Sequence, residues 1–383
     1  MPILSARRKS KALGAKECSD SVVKILNNHL TIPINGKLNQ KTIIRMLVGM
    51  ASERQSIHSI RNHLSSVPCE TSCRYHLAKL DLEDLEQISS AILLDLPESV
   101  IESGKRYPFA IDYTDDPYYG EIEDENVGFV RKSQVKCSTT KFYSYVTLYI
   151  MQNGKRFTLA VFPVRKDQSK TESIQRCLDA IFSRSFKIKV LCLDRGFYSI
   201  DVFNFLEERK IPFIIPIVKR GEKIKAVLNV SHSCYRDYTI HNAKTAKNVH
   251  LAVKVGYLKG NNGKKGIIRL GYVVSGVSWT PEKVYRVYKS RFGIESSYRM
   301  RNQVKVFTTS RNPTLRYLFV VISFLFENVW VAFQWLYFTP VRRGPRKVEP
   351  SLFRFERFRI LVWEGIQTCL KNISKVTVLR YPI

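Results

Sequence analysis

The order of apolar segments between residues 107 and 218 constrains the fold of this chain more than any other feature of its sequence. Three strand-like segments come first, and an alternation of helix and strand follows them. The three strands lie at 107–112, 142–151 and 157–164, and a tight Gln-Asn-Gly-Lys turn at 152–155 joins the last two. The alternation consists of a helix at 171–182, a strand at 188–193, a helix at 200–209 and a strand at 213–218. This order predicts a mixed α/β sheet with helices packed on it.

A further group of strands interrupts the alternation after residue 218. Segments 249–258 and 267–277 have strand character, and a loop rich in Gly and Lys at 259–265 joins them. We therefore expect a β-rich insertion at about 219–278. A helix is predicted from Pro281 to about Asn302, and an apolar helix follows at 315–338. Three strands followed by helix and strand alternation are the order of a ribonuclease H-like sheet, which we place at residues 105–340.

The charge balance predicts a polyanionic partner. The chain has 62 Lys and Arg residues against 33 Asp and Glu residues, a formal net charge of +29. Such a chain repels itself at low salt unless a polyanion or strong screening offsets the charge. Ribosomal and nucleoid-adhesive proteins carry their charge on basic tails, but here the basic residues are spread along the whole chain among apolar ones. This distribution favours nucleic acid as the partner of a packed globular protein.

The first hundred residues are predicted to be helical and basic. Residues 1–79 carry 13 Lys and Arg against 4 acidic residues. Their predicted helices lie at 41–51, 56–64 and 70–80, with a turn at 65–68. This region, 1–100, is either a helix-turn-helix-like DNA-binding module whose last helix enters the major groove or a helical hairpin with a solvated basic face. An acidic amphipathic segment at 81–96 and a linker at 97–104 place a domain boundary near residue 100.

Localisation is predicted from the cysteines and the apolar segments. The eight cysteines are scattered along the chain and read as reduced thiols. No apolar stretch of a secretory signal opens the sequence. The apolar segment 317–338 is interrupted by polar residues such as Glu327 and Asn328, so we expect a buried core helix and no membrane association. A cytoplasmic, nucleoid-associated protein is predicted, with residues 341–383 as a basic C-terminal extension that packs on or extends the DNA surface.

Two of the apolar strands end in a carboxylate. Asp112 follows Tyr-Pro-Phe-Ala-Ile, and Asp194 follows Lys-Val-Leu-Cys-Leu. An acidic residue at the end of a buried strand is often a turn former or a helix N-cap, and this interpretation stays open for either residue alone. The two strands are neighbours in the predicted sheet, however, so the pair indicates a shared site. Asp115, in the acidic segment that follows Asp112, is a reserve candidate.

A third candidate group lies on the helix after the insertion. Tyr288, Arg291 and Glu295 stand at offsets of three and seven residues, which at about 100° per residue places them on one helix face. Taken alone, this face is equally typical of a Tyr packed on the sheet beside a surface Arg and Glu pair at i and i+4.

Together these segments resemble the three signatures of insertion-sequence transposases of the Asp-Asp-Glu class. The segments are Asp-Tyr-Thr-Asp-Asp-Pro-Tyr-Tyr-Gly from Asp112, Asp-Arg-Gly-Phe-Tyr from Asp194, and Tyr288-x2-Arg291-x3-Glu295. They are similar to the branch whose glutamate lies in a Tyr-x2-Arg-x3-Glu-x6-Lys motif and is separated from the second Asp by a β-strand insertion. The resemblance covers about residues 105–340, and the order of the motifs is more specific than any one of them.

The resemblance implies a transposase that cuts DNA at insertion-sequence ends and joins them to a target by two-metal phosphoryl transfer. Asp112, Asp194 and Glu295 would be the catalytic residues and the ligands of two Mg²⁺ ions, for which Mn²⁺ can substitute, with Asp112 bridging the two. Tyr288 and Arg291 would bind the DNA end. The partners implied are double-stranded DNA, as element ends and as target, and a second copy of the chain in a homodimer.

One position departs from the family motif. Asn302 stands where the motif has Lys, and an Asn can hydrogen-bond a phosphate but supplies no charge. Arg299 lies close to the same helix face and is expected to take over that role, so both are candidate DNA-binding residues. Two other functions stay open: a catalytically inactive or domesticated DNA-binding relative such as a repressor, and a ribonuclease H-like nuclease.

Overall fold

A computed structural model of the chain describes residues 13–36, 38–152, 154–242, 245–260, 265–339, 346–349 and 351–374. These residues belong to two compact units. Leu96–Arg299 contains the β-sheet, and we call it the sheet unit. The chain up to Asp95 and the chain from Met300 onward form the other, which we call the helical unit.

The helices and strands are numbered in chain order. The α-helices are α1 Ala15–His29, α2 Gln40–Glu53, α3 Glu70–Leu77, α4 Leu82–Leu94, α5 Lys170–Phe182, α6 Ile200–Glu208, α7 Glu222–Leu228, α8 Pro281–Lys289, α9 Gly293–Arg301, α10 Pro313–Tyr337 and α11 Phe355–Leu370. The strands are β1 Arg106–Pro117, β2 Val130–Lys136, β3 Thr139–Ile150, β4 Thr158–Pro163, β5 Lys187–Leu193, β6 Phe213–Pro216, β7 Cys234–His241, β8 Ala246–Lys259 and β9 Lys265–Ser275.

The central part of the sheet has the strand order β4-β3-β1-β5-β6. β3 is antiparallel to both β4 and β1, whereas β5 is parallel to β1 and β6 is parallel to β5. β6 is buried along its whole length and β5 over its last four residues, as expected for parallel strands covered on both faces. This is the mixed sheet that the sequence predicts.

The β-rich insertion is also present, and it continues the same sheet. β9 is antiparallel to β6, β8 is antiparallel to β9, and β7 is antiparallel to β8. The strands β8 and β9 agree with the predicted segments 249–258 and 267–277. Most of the predicted loop between them, residues 261–264, lies outside the described residues.

Local sequence signals explain where the helices of the sheet unit begin. Ser169 and Glu172 form a capping box at the start of α5, in which Ser169 Oγ accepts from the Glu172 backbone N–H at 3.1 Å and Glu172 Oε2 accepts from the Ser169 N–H at 2.7 Å. Thr280 caps α8, with Pro281 in the first turn. These caps fix the starts of α5, which leads to β5, and of α8, which follows β9.

The central helix of the helical unit is α10. Every residue from Thr314 to Gln334 is buried, because α1, α2, α4 and α11 pack around it. Its polar side chains find partners: Asn328 Nδ2 donates to the Leu93 carbonyl at 2.8 Å, and Gln334 Nε2 donates to the Phe353 carbonyl at 3.0 Å. Hydrogen bonds of this kind make a polar group tolerable in a buried helix.

Among the described residues, α10 is the one helix whose length and composition are sufficient to cross a membrane. In its most apolar window, however, 94% of the residues are buried inside the protein. A core helix covered by other helices accounts for this hydropathy.

The helical unit includes a part of the chain that the sequence places elsewhere. The predicted boundaries lie near 100 and 340, whereas the chain from Met300 onward groups with the N-terminal helices. The reason is packing, since α10 and α11 bury their apolar faces against α1, α2 and α4. The predicted basic extension contains α11, and its residues 341–345, 350 and 375–383 lie outside the described part of the chain.

Candidate active site

Asp112 lies where β1 stops pairing with β5. The parallel pairing reaches Ile111 opposite Leu193, whereas β1 continues beside β3 to Pro117. The prediction that Asp112 ends its strand is therefore wrong for β1 itself, because β3 supplies hydrogen-bond partners for several more residues. The side chain is only 14% exposed, and Asp112 Oδ1 accepts a hydrogen bond from the Tyr113 backbone N–H at 2.9 Å.

Asp194 follows β5 directly, as predicted. It occupies the N-cap position of a short 3-10 turn, Arg195–Phe197, but its side chain makes no capping hydrogen bond. The interpretation of this carboxylate as a helix cap therefore has no support. Its side chain is 43% exposed, so it is available to a ligand.

A ring stack links the two segments that carry the aspartates. Tyr113, next to Asp112, stacks on Phe197, three residues after Asp194, with ring centroids 4.7 Å apart and planes 10° from parallel. Phe197 is fully buried. Sequence reasoning missed this contact, although a large apolar residue in the turn after Asp194 is a visible signal.

Glu295 comes to the same place from α9. The predicted long helix is interrupted: α8 ends at Lys289, a 3-10 turn spans Ser290–Phe292, and α9 begins at Gly293. Tyr288, Arg291 and Glu295 nevertheless lie on the side of this segment that faces the aspartates. Glu295 is half-exposed, at 51%.

Arg291 is the point on which the three carboxylates converge. Its Nη1 donates to Asp112 Oδ2 at 2.8 Å, and its Nη2 lies 3.5 Å from Asp194 Oδ1 and 3.6 Å from Glu295 Oε1. The side chain is 7% exposed. Its Nε is buried and makes no hydrogen bond with any described residue. The sequence predicts a DNA contact for Arg291, which stays a prediction, but its position among the three carboxylates was missed.

The electrostatics of the site are dominated by the burial of Asp112. Burial raises the pKa of this carboxyl from 3.8 to about 6. The positive charge of Arg291 opposes the rise, and the negative charge of Asp194 adds to it. Without a further cation, this carboxylate therefore holds its proton more strongly than a solvated one.

The other predicted residues differ in their surroundings. Tyr288 is 6% exposed and packs against Tyr272, with ring centroids 5.0 Å apart, and burial raises the pKa of its hydroxyl above its usual range. Arg299 is exposed and donates to Ser296 Oγ at 3.1 Å. Asn302 follows α9 in a turn and is exposed. The DNA contacts of these residues stay predictions.

Asp115 is turned away from the triad. Side chains alternate along a strand, so Asp115 lies on the face of β1 opposite to Asp112. Its Oδ1 accepts from Ser144 Oγ at 2.8 Å and its Oδ2 lies 3.2 Å from Lys136 Nζ. These partners occupy the carboxylate, so the reserve candidate belongs to a separate hydrogen-bonded group.

A hydroxyl pair supports the strand beside Asp112. Thr147 of β3 lies opposite Asp112, and its Oγ1 donates to the Asp112 carbonyl at 3.2 Å. The same Oγ1 is 2.6 Å from the hydroxyl of Tyr298 on α9. This contact ties the helix that carries Glu295 to the strand that carries Asp112, and no sequence motif indicates it.

The chemistry of the three carboxylates fits a hard divalent cation. Their donor atoms are all oxygens, which Mg²⁺ and Mn²⁺ prefer, and they already converge on a cationic group. As they stand, however, no three His, Cys, Asp or Glu side chains of the described residues form a cluster that would hold one metal ion. The guanidinium of Arg291 lies between the carboxylates instead.

The sheet order, with two aspartates from adjacent strands and a glutamate from the following helix, is that of the ribonuclease H-like class of folds. Residues 104–311 match the family model of the transposase DDE domain. Because this match spans more than half of the 383 residues, the chain belongs to the transposase DDE domain family, which confirms the resemblance found in the sequence.

Comparison with solved structures gives the same fold. The chain is similar to the piggyBac transposase in a cryo-EM structure of its synaptic complex with hairpin DNA, with a TM-score of 0.55 and 12% sequence identity. The alignment covers 97% of this chain and 84% of that one. At this identity the similarity establishes the fold alone. No curated protein matches the chain.

Proposed function

We propose that this chain is a transposase that cleaves DNA at the ends of an insertion sequence and transfers the strands to a target by metal-dependent phosphoryl transfer. The observation that carries the proposal is the convergence of three carboxylates on one group. Asp112, Asp194 and Glu295 come from two strands and a helix, yet all lie within 3.6 Å of the same guanidinium. Carboxylates brought so close repel one another unless a cation is shared between them.

The roles of the three residues are carried over from the family resemblance. Asp112, the most buried of the three, would be the ligand shared by two ions, with Asp194 and Glu295 completing one site each. Two bound Mg²⁺ ions, or Mn²⁺ in their place, supply Lewis-acid stabilisation of the attacking and leaving oxygens. Asp194 and Glu295 are about half-exposed, which leaves the site open to a DNA strand.

DNA is the proposed substrate. The net charge of +29 supports it, and the similar piggyBac structure is a complex with DNA. We propose that residues 1–100 bind the element end through a helix-turn-helix-like surface, with residues 341–383 extending it. Arg299 and Asn302, both exposed, would contact DNA phosphates, and Tyr288 and Arg291 would hold the DNA end. A homodimer in the DNA complex and a cytoplasmic, nucleoid-associated location belong to the same proposal.

The test is a nicking assay with a matched control. Purified protein is incubated with Mg²⁺ or Mn²⁺ and a duplex carrying the inverted repeats that flank its gene. Wild type is expected to nick at the repeat end, and Asp194→Asn is expected to abolish nicking without loss of DNA binding. Asp115→Asn is the control, because Asp115 lies on the same sheet but on the face away from the triad. Nicking that survives Asp194→Asn would refute the assignment.

The same assay separates the two other functions. The Asn at position 302, where the motif has Lys, favours an inactive DNA-binding relative as the second candidate. Such a protein would bind the repeat ends tightly but leave them intact in both metals. A nuclease would cut DNA without preference for the repeats and would give no strand transfer.

A further inference from the structure

We propose that Arg291 is a built-in competitor of the divalent metal, so that the metal ions bind tightly only after DNA phosphates have drawn its guanidinium away from the triad. This inference rests on the proposed function of the triad as a metal site. It adds to that function a coupling between DNA binding and metal binding.

The contacts of Arg291 are those of a cation enclosed by its ligands. Nη1 is used by Asp112, and Nη2 is shared by Asp194 and Glu295. Each carboxylate therefore turns at least one oxygen towards the guanidinium, which occupies the space between them. A metal ion that needs the same oxygens must displace or shift this group.

The charge balance of the site also favours metal binding after DNA binding. Three carboxylates and one guanidinium leave a formal excess of two negative charges, and two divalent ions would turn it into an excess of two positive ones. This excess is costly where solvent does not screen it, as around the buried side chains of Asp112 and Arg291. Phosphates of a bound DNA strand supply the missing negative charge and are also preferred partners of a guanidinium.

The local backbone is suited to a moving side chain. Arg291 lies in the 3-10 turn Ser290–Phe292 that separates α8 from α9, and such interruptions often mark hinges. Its guanidinium lies 5.4 Å from the ring of Tyr288 and 5.8 Å from that of Phe292. Phe292 is 52% exposed, so the ring offers a surface along which the guanidinium can shift towards solvent.

The experiment measures Mn²⁺ binding directly, by the electron paramagnetic resonance signal of the free ion. Full-length wild type, Arg291→Gln and Arg291→Lys are titrated without DNA. Arg291→Gln is expected to bind Mn²⁺ more tightly than wild type, on the order of tenfold, because it removes a charge a few ångströms from the ions. Arg291→Lys keeps the charge but loses the fork that contacts three carboxylates, so an intermediate affinity is expected.

The second arm adds plasmid-derived duplex DNA at low salt, with the Mn²⁺ bound by the duplex alone subtracted. Wild type is expected to gain Mn²⁺ affinity, by a factor similar to that of Arg291→Gln without DNA, whereas Arg291→Gln gains little. An Arg291→Gln protein that binds Mn²⁺ no more tightly than wild type would overturn the inference. An equal gain with DNA in both proteins would do the same.

A double variant separates this inference from the proposed function. If the triad binds the metal, Asp194→Asn combined with Arg291→Gln loses the tight Mn²⁺ binding of Arg291→Gln. Mn²⁺ binding that survives in the double variant would refute the metal site itself. If Arg291→Gln does not fold, as judged by circular dichroism, Arg291→Lys decides alone: a gain of a few-fold supports the competition, and no gain or a loss overturns it.

Discussion

Replacement of Asp112 by Asn is expected to stabilise the metal-free protein at pH 7, although it removes a proposed metal ligand. Burial raises the pKa of Asp112 from 3.8 to about 6, against the opposing charge of Arg291. The ionised carboxylate is thus less favourable in the folded protein than in the unfolded chain. Asn has nearly the same shape and carries no charge, so it removes this penalty while keeping an oxygen that can accept from Arg291.

The sign and size follow from proton linkage. The folded protein retains the proton up to about pH 6, whereas the unfolded chain releases it near pH 3.8, so the free energy of unfolding falls as pH rises between these values. A difference of about two pKa units corresponds to about 3 kcal/mol. Asp112→Asn should recover on the order of 2–3 kcal/mol at pH 7 but only about 0.5 kcal/mol at pH 4. For a unit of this size that is a rise of about 5–10 °C in Tm.

Thermal unfolding followed by circular dichroism in EDTA measures this difference. The quantity compared is the Tm of Asp112→Asn minus that of wild type, at pH 7 and at pH 4. Asp115→Asn is the control, since its carboxylate accepts from Ser144 and pairs with Lys136, and its Tm should not rise. If Asp112→Asn melts at or below wild type at pH 7, the reasoning that burial penalises this carboxylate is wrong. Addition of Mg²⁺ and duplex DNA together should raise the Tm of wild type more than that of Asp112→Asn.

Three further predictions concern packing and pH. Gly365→Ala should destabilise the protein by about 1–3 kcal/mol in a urea titration, because a Cβ at that position in α11 would lie 2.5 Å from the Ala15 carbonyl oxygen. Gly128→Ala, where a Cβ meets nothing within 4 Å, should be neutral in the same titration. Equal urea midpoints for the two variants would contradict the argument. Phe197→Ala should lower the free energy of unfolding by about 3–5 kcal/mol and slow nicking, since it removes the ring stacked beside the triad. A folded variant that nicks at the wild-type rate would show that the stack does not position the carboxylates. The Mg²⁺ concentration for half-maximal nicking should rise as pH falls from about 7 to 5.5, because a proton competes for Asp112 below about pH 6, and a constant value would exclude that competition.

The parts of the sheet that the sequence predicts are those with continuous apolar runs. β5 was predicted to within one residue, and β6 from its first residue although it ends two residues earlier than predicted, because buried parallel strands leave such runs. β2 and β7 were missed, since they are largely exposed and rich in polar residues, which conceals the alternation of a strand. The helix α1 was missed although Cys18, Val22 and Leu26 recur at helical spacing and are buried, so that signal was available.

The candidate site also has a part that the sequence predicts and a part that it does not. Asp112 and Asp194 are visible because each interrupts or follows an apolar run, and the sheet order makes their strands neighbours. The role of Arg291 was not predictable, because a helical wheel gives the face of a residue but not what covers that face. An Arg and Glu pair at i and i+4 is usually a surface feature, and here it is distinguished only by the 7% exposure of the Arg side chain. That burial results from tertiary packing.

Two unfavourable features of the sheet unit lie at the triad. Asp112 is buried with its pKa raised to about 6, and Arg291 Nε has no hydrogen-bond partner among the described residues. In the helical unit, by contrast, Asn328 and Gln334 are just as deeply buried but donate to backbone carbonyls. A buried carboxylate beside an unsatisfied guanidinium nitrogen is typical of a site whose partners bind later. The stability that wild type gains from metal and DNA together, and that Asp112→Asn cannot gain, therefore measures how far these partners offset the cost of burying Asp112.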